Sequence, residues 1–74
     1  MSVASVVVEI KEGSSDTVLG SLARIPQISV YGVKENQIVT VIEGDTIKDV
    51  DATVRQISQL EAVIGVYPVF AGDE

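Results

Sequence analysis

The sequence predicts an α+β fold with the element order βαββαβ, in which a four-stranded antiparallel sheet carries two helices on one face. Three observations lead to this prediction. Four runs are rich in β-branched residues, two segments between them carry apolar residues at helical spacing, and a short motif recurs along the chain. With 74 residues, the chain has room for one small domain over residues 1–74.

The first half of the chain predicts a strand, a helix and a second strand. Residues 5–10 are mostly β-branched and alternate at their edges, which is typical of a strand. A helix is predicted next from four apolar residues at helical spacing: Val18, Leu19, Leu22 and Ile25. We expect a serine before them to cap this helix, and Pro26 to end it. Residues 28–33 then return to the alternation of a strand.

The second half repeats this order. Residues 34–36 have turn-forming character and lead into residues 37–43, so the second and third strands are predicted to form a hairpin. The second helix is predicted from apolar residues that recur every three or four positions: Ile47, Val50, Val54, Ile57 and Leu60. Thr46 and Asp49 have the spacing of a capping box at its start.

The chain closes with a fourth predicted strand over residues 62–70 and a short acidic tail over residues 71–74. The pattern Ile-x-Val-Tyr-Gly-Val in residues 28–33 recurs as Ile-x-Val-Tyr-Pro-Val in residues 64–69, which indicates two βαβ halves. Interleaving two such halves with right-handed crossovers gives the ferredoxin-like fold, with the first and third strands central. Pro68 therefore falls on an edge strand, where no ladder donor is needed.

The composition argues against catalysis and against several partners. Without Cys or His, the chain has no disulfide, no thiolate or imidazole zinc site and no ordinary general base, so we expect no enzyme, metal or cofactor. A net charge of −6 disfavours nucleic acid. Two weaker signals are better explained as helix starts: an anion site at residues 13–15 and a calcium site at Asp45, Asp49 and Asp51. Neither a secretory signal nor a membrane span is present, which favours the cytoplasm.

If both helices cover one face of the sheet, alternation along the strands assigns the remaining side chains to the other face. On the helix side we expect Val6, Val8, Ile10, Ile28, Val30, Val39, Val41, Ile64 and Val66. On the outer side we expect Ser5, Val7, Glu9, Ser29, Tyr31, Val33, Ile38, Thr40, Ile42, Gly65, Tyr67 and Val69. Such an exposed apolar surface usually marks a contact, and we predict a groove for an apolar helix of another chain.

Two other interpretations of this surface remain open. In the first, the register assigned to one strand is wrong by one residue. In the second, the surface is buried in a homodimer. Tyr31 and Tyr67 are either anchors at the rim of the groove or simply aromatic residues that pair across strands.

Several segments resemble the NapD family over about residues 5–70: Ser5-Val6-Val7-Val8, Ile25-Pro26, residues 37–43, and residues 60–64 leading to Val69-Phe70. The resemblance implies a cytoplasmic chaperone of ferredoxin-like fold. It also implies a partner, the twin-arginine signal peptide of the periplasmic nitrate reductase NapA, whose export the family holds back until the molybdenum cofactor is inserted. A monomer or weak dimer is expected.

The resemblance and the outer surface together give the expected peptide-binding residues: Ser5, Val7, Glu9, Tyr31, Ile38, Thr40, Ile42 and Tyr67. An acidic rim would meet the two arginines through Glu9, Glu35 or Glu43, and the sequence does not choose among them. The alternative function is a small-molecule-sensing regulatory domain of ACT-like or RAM-like type, which acts as a homodimer.

Overall fold

The computed structural model describes residues 1–73 and has the predicted element order. Its elements are β1 (Ser2–Ile10), α1 (Ser15–Leu22), β2 (Ile28–Lys34), β3 (Gln37–Gly44), α2 (Ile47–Ser58) and β4 (Val63–Asp73). All strand pairs are antiparallel, and the strand order is β2-β3-β1-β4. This confirms the ferredoxin-like fold, the central position of the first and third strands, and the place of Pro68 on an edge strand.

The core lies between one face of the sheet and the two helices. Every second residue of β1 is buried from Ser2 to Ile10. The helices bury Val18 and Leu22 of α1 and Val50, Thr53 and Ile57 of α2 against the sheet. Each helix buries one apolar stripe against the same face of the sheet, and no other element of residues 1–73 covers the opposite face.

A capping box fixes the start of α2, as predicted. The backbone N–H of Asp49 donates to Thr46 Oγ1 at 3.3 Å, and the backbone N–H of Thr46 donates to Asp49 Oδ2 at 3.2 Å. These two bonds act on donors of the first turn, and the N–H of Asp49 also donates to the carbonyl of Thr46 at 3.1 Å.

The predicted serine cap of α1 is wrong. Ser14 occupies the N-cap position, but its side chain makes no hydrogen bond to the first turn. Its hydroxyl instead donates to the carbonyl of Lys11 in the preceding loop. The backbone torsions of Ser14, φ −104° and ψ 6°, are outside the extended region that a side-chain cap normally adopts.

β1 and β4 are both longer than the sequence predicts. β1 begins at Ser2, three residues before the predicted start, and β4 continues to Asp73. The predicted acidic tail is therefore wrong for Ala71 and Gly72, which pair with Ala4 and Val3 of β1. The last residue of that tail, residue 74, lies outside the described residues.

The open face of the sheet as the candidate functional site

Strand pairing identifies the side chains on the face away from the helices, because directly opposed residues of neighbouring strands point to the same side. We call this surface the open face. Its residues are Val3, Ser5, Val7 and Glu9 of β1, Gln37, Val39, Val41 and Glu43 of β3, Gly65, Tyr67, Phe70 and Gly72 of β4, and Ser29, Gly32 and Lys34 of β2.

The predicted register of β1 is confirmed, and that of β3 is wrong by one residue. Ile38, Thr40 and Ile42 were expected on the outer side, but each has 0% of its surface exposed beneath the helices. Val39 and Val41, which were expected beneath the helices, lie on the open face opposite Val7 and Ser5. A fully buried side chain cannot contact a partner, so the prediction that Ile38, Thr40 and Ile42 bind a peptide is wrong.

The hairpin explains this register. Lys34 and Gln37 are opposed across a loop of two residues, and both polar side chains lie on the open face. Alternation then turns Ile38 toward the helices. Thr40 is tolerated there because its hydroxyl donates to the backbone carbonyl of Val6 at 2.9 Å.

Two further expectations about the faces are wrong. Val33 is opposed to Ile38, which places it on the helix side of β2 although the side chain is partly exposed at the edge. Ile64 was expected against the helices, but it is the extra residue at a register shift of β4 and is exposed. Tyr31 is the residue of β2 without an opposed partner, at the shift between Val30 and Gly32, and it is exposed.

β4 adds an aromatic residue that sequence reasoning did not include. A second register shift leaves Val69 without an opposed residue, so Phe70 takes the place opposite Ser5 and lies beside Tyr67 on the open face. The exposed fractions are 53% for Tyr67 and 59% for Phe70. Two large, solvent-exposed aromatic side chains therefore border the apolar centre of the face along the β4 edge.

Glycines make room for both rings. A Cβ atom added at Gly65 would lie 2.5 Å from the hydroxyl oxygen of Tyr67, and one added at Gly72 would lie 3.0 Å from Cζ of Phe70. The two rings therefore lie down along the strand instead of standing away from it. The phenol of Tyr67 also donates to Glu9 Oε1 at 3.4 Å.

The centre of the open face is apolar, and each of its two ends carries a glutamate. Val7, Val39 and Val41 occupy the central strands, with Glu9 near the β2–β3 hairpin and Glu43 near the opposite end. The seven residues of β1 from Val3 to Glu9 span about 20 Å at the usual rise of a strand. Small neighbours on the flanking positions, such as Ser29 and Gly32, leave this centre shallow and accessible.

These features define a class of protein: a small ferredoxin-like binding domain whose second sheet face is an uncovered apolar surface. The family model described as NapD protein matches residues 1–74, and the chain belongs to the NapD family.

One solved structure supports the fold. The solution structure of the Tat proofreading chaperone protein NapD from E. coli superposes with a TM-score of 0.86 at 23% sequence identity. The match covers 97% of this chain and 78% of the E. coli chain. Comparison with curated proteins gives no match. Within residues 1–73, neither helix is long and apolar enough to cross a membrane.

Proposed function

We propose that this chain is a cytoplasmic chaperone without catalytic activity that binds the twin-arginine signal peptide of a periplasmic nitrate reductase. By holding the peptide, it delays Tat export until cofactor insertion and folding of the reductase are complete. Membership of the NapD family supports this role, as does the similarity to the E. coli Tat proofreading chaperone. The comparisons give no support to the alternative of a small-molecule-sensing domain.

The apolar open face is the observation that carries the proposal. Valines of the two central strands and two exposed aromatic residues of β4 form a surface that the helices of the described chain do not cover. Burial of apolar surface contributes about 25 cal/mol per Å². A partner helix that covers this face therefore gains most of its binding energy without any reactive group on the chaperone.

The dimensions of the face suit a signal peptide. An export signal joins a positively charged segment to an apolar segment of about 7–15 residues. A helix rises 1.5 Å per residue, so about 13 helical residues match the 20 Å between the Glu9 and Glu43 ends. The proposed occupant is a single amphipathic helix that lies along the central strands.

Charge complementarity supports the same occupant. The chain has a net charge of −6, and the two acidic residues at the ends of the open face lie within reach of a basic segment. Opposite charges of this kind accelerate encounter and reject acidic partners, while the apolar contacts hold the complex together.

Calorimetric titration tests this function. The peptide is a synthetic NapA-type twin-arginine signal sequence, and its control is a scrambled peptide of the same composition. We expect saturable binding of the first peptide alone. Equal binding of both peptides, or binding of neither, would reject the proposal.

A pair of variants tests where the peptide binds. Val7→Lys places a charge in the centre of the open face, and we expect it to weaken binding at least about tenfold while the protein stays folded. The matched control is Ile47→Lys, at an exposed apolar position of α2 in the helix layer, which should bind like the unmodified protein. A Val7→Lys variant with unchanged affinity would exclude the open face.

A further inference from the structure

The hairpin end of the open face contains a recess with an unusual set of oxygen atoms. A cavity of about 370 Å³ is lined by Glu9, Lys34, Glu35, Asn36 and Gln37. Two of these residues carry carboxylates, and two carry amide oxygens. A planar guanidinium has five N–H donors and no acceptor, so a recess lined by these carboxylates and amides suits arginine.

Glu9 is the best-positioned carboxylate of this recess. It is half-buried on a central strand, between Gln37 of β3 and Gly65 of β4. On the β4 side, the ring of Tyr67 lies over Gly65, and the Tyr67 hydroxyl donates to one carboxylate oxygen of Glu9 at 3.4 Å. A carboxylate accepts about four hydrogen bonds, so the group is oriented by Tyr67 and still has capacity for a bidentate ligand.

The opposite end of the face is built differently. Glu43 and Asp45 line a larger cavity of about 520 Å³, but much of its wall comes from α2, at Asp49, Ala52, Thr53 and Gln56. One carboxylate oxygen of Asp49 already accepts the N–H of Thr46 in the capping box. A cation bound there would be drawn toward the helix layer and away from the apolar centre of the open face.

We propose that the arginine pair of the bound peptide docks in the Glu9 recess, and that the apolar segment runs from there toward Glu43. This inference rests on the proposed function and adds a direction and a specificity residue to it. Glu9 selects arginine over lysine, because an ammonium group cannot make the planar two-point contact with a carboxylate. Lys34 also lines this recess, and its positive charge opposes the incoming arginines, so Lys34→Gln should tighten binding.

A double-mutant cycle measures the contact. Glu9→Gln keeps an acceptor for Tyr67 but removes the charge, and it should weaken binding of the twin-arginine peptide about tenfold. A peptide with both arginines replaced by glutamine should bind the two proteins equally. The matched control is Asp51→Asn, which removes the same charge from an exposed position of α2. Coupling of the arginines to Glu43→Gln instead of Glu9→Gln would overturn the proposal.

Spin labels on the peptide give an independent measure of the direction in which the peptide runs along the open face. A label just before the arginines should broaden the amide signals of Glu35 and Asn36, and a label after the apolar segment should broaden the signal of Gly44. The reverse pattern overturns the proposed direction but leaves the chaperone function standing. A peptide that does not bind at all overturns both.

Discussion

The ring of Tyr67 lies against the backbone of Gly65, so close that a Cβ atom at residue 65 would be 2.5 Å from the phenol oxygen. The same phenol donates to Glu9 across the strand pair. The absence of a side chain at Gly65 thus determines how close the Tyr67 ring lies to the sheet and, through the hydrogen bond, how the Glu9 carboxylate is oriented.

Gly65→Ala should therefore displace Tyr67 without unfolding the sheet, because a flexible side chain moves more easily than a strand. We expect weaker peptide binding and a change in the free energy of unfolding within about 0.5 kcal/mol. NMR shifts of the Tyr67 ring protons report the displacement. Gly32→Ala is the matched control, since Gly32 is also on the open face but has no atom within 4 Å of an added Cβ. Unchanged ring shifts in Gly65→Ala would contradict this relationship.

Adjacent residues of β3 should respond in opposite ways. Ile38 is buried in the core, so Ile38→Ala should lower the free energy of unfolding by about 2–5 kcal/mol. The folded fraction should bind peptide normally. Val39 faces outward, so Val39→Ala should change stability by less than about 1 kcal/mol and weaken binding roughly fivefold. Urea unfolding measures the stability of each variant, and calorimetry measures its affinity for the peptide. A large loss of stability in Val39→Ala together with weaker binding in Ile38→Ala would support the register expected from sequence.

The two helix starts give a second matched pair. Thr46→Ala removes a capping bond from α2, and we expect a loss of about 0.5–2 kcal/mol in the free energy of unfolding. Ser14→Ala removes no capping bond from α1, so its effect should be a few tenths of a kcal/mol, as roughly expected for exposed positions. Chemical denaturation measures the free energy of unfolding of both variants, and the comparison requires that this free energy fall with denaturant concentration at the same slope in each. Equal losses would show that the two starts are stabilised alike.

The β2–β3 hairpin contains one strained position. Glu35 has a φ of +54°, in the left-handed region that glycine adopts readily and other residues do not. Glu35→Gly should raise the free energy of unfolding by roughly 0.5–1 kcal/mol. Asn36→Gly next to it should lower the free energy of unfolding. Because φ of Asn36 is not positive, the glycine relieves no strain there and only raises the conformational entropy of the unfolded chain. Thermal unfolding of both variants checks the contrast.

Much of the fold was predictable because most elements have a single apolar pattern. In β1, the buried residues Val6, Val8 and Ile10 form one series, and Ser5 and Glu9 mark the other as outward. In the helices, apolar residues recur every three or four positions, and the capping-box spacing of Thr46 and Asp49 predicts the start of α2. In each of these elements the local pattern and the final packing favour the same arrangement.

β3 was not predictable in this way, because both of its faces are apolar. Ile38 and Ile42 alternate with Val39 and Val41, so hydrophobicity alone does not choose which series is buried. Thr40 suggests an outward face until its bond to the Val6 carbonyl is known. The usable signal was the short hairpin loop, which opposes Lys34 to Gln37 and so determines every later position of the strand.

Of the two aromatic residues along β4, Tyr67 was predicted on the outer side, and Phe70 was missed for a related reason. Phe70 reaches the open face only because Val69 is an extra residue at a register shift. Strict alternation from Tyr67 assigns Val69 outward and Phe70 inward. Such shifts depend on pairing between distant strands, and Pro68 next to Val69 signals an edge or a bulge without saying which residue is extra.

The bare apolar face also has a consequence for the free chaperone in concentrated solution. Two copies that meet face to face would bury this surface against each other, and the mutual repulsion of chains with a net charge of −6 opposes that approach. Added salt shortens the range of the repulsion but leaves the apolar attraction in place. At low salt and low protein concentration, we expect the protein to stay monomeric. At high salt, we expect it to self-associate through the open face. A bound peptide should prevent this self-association.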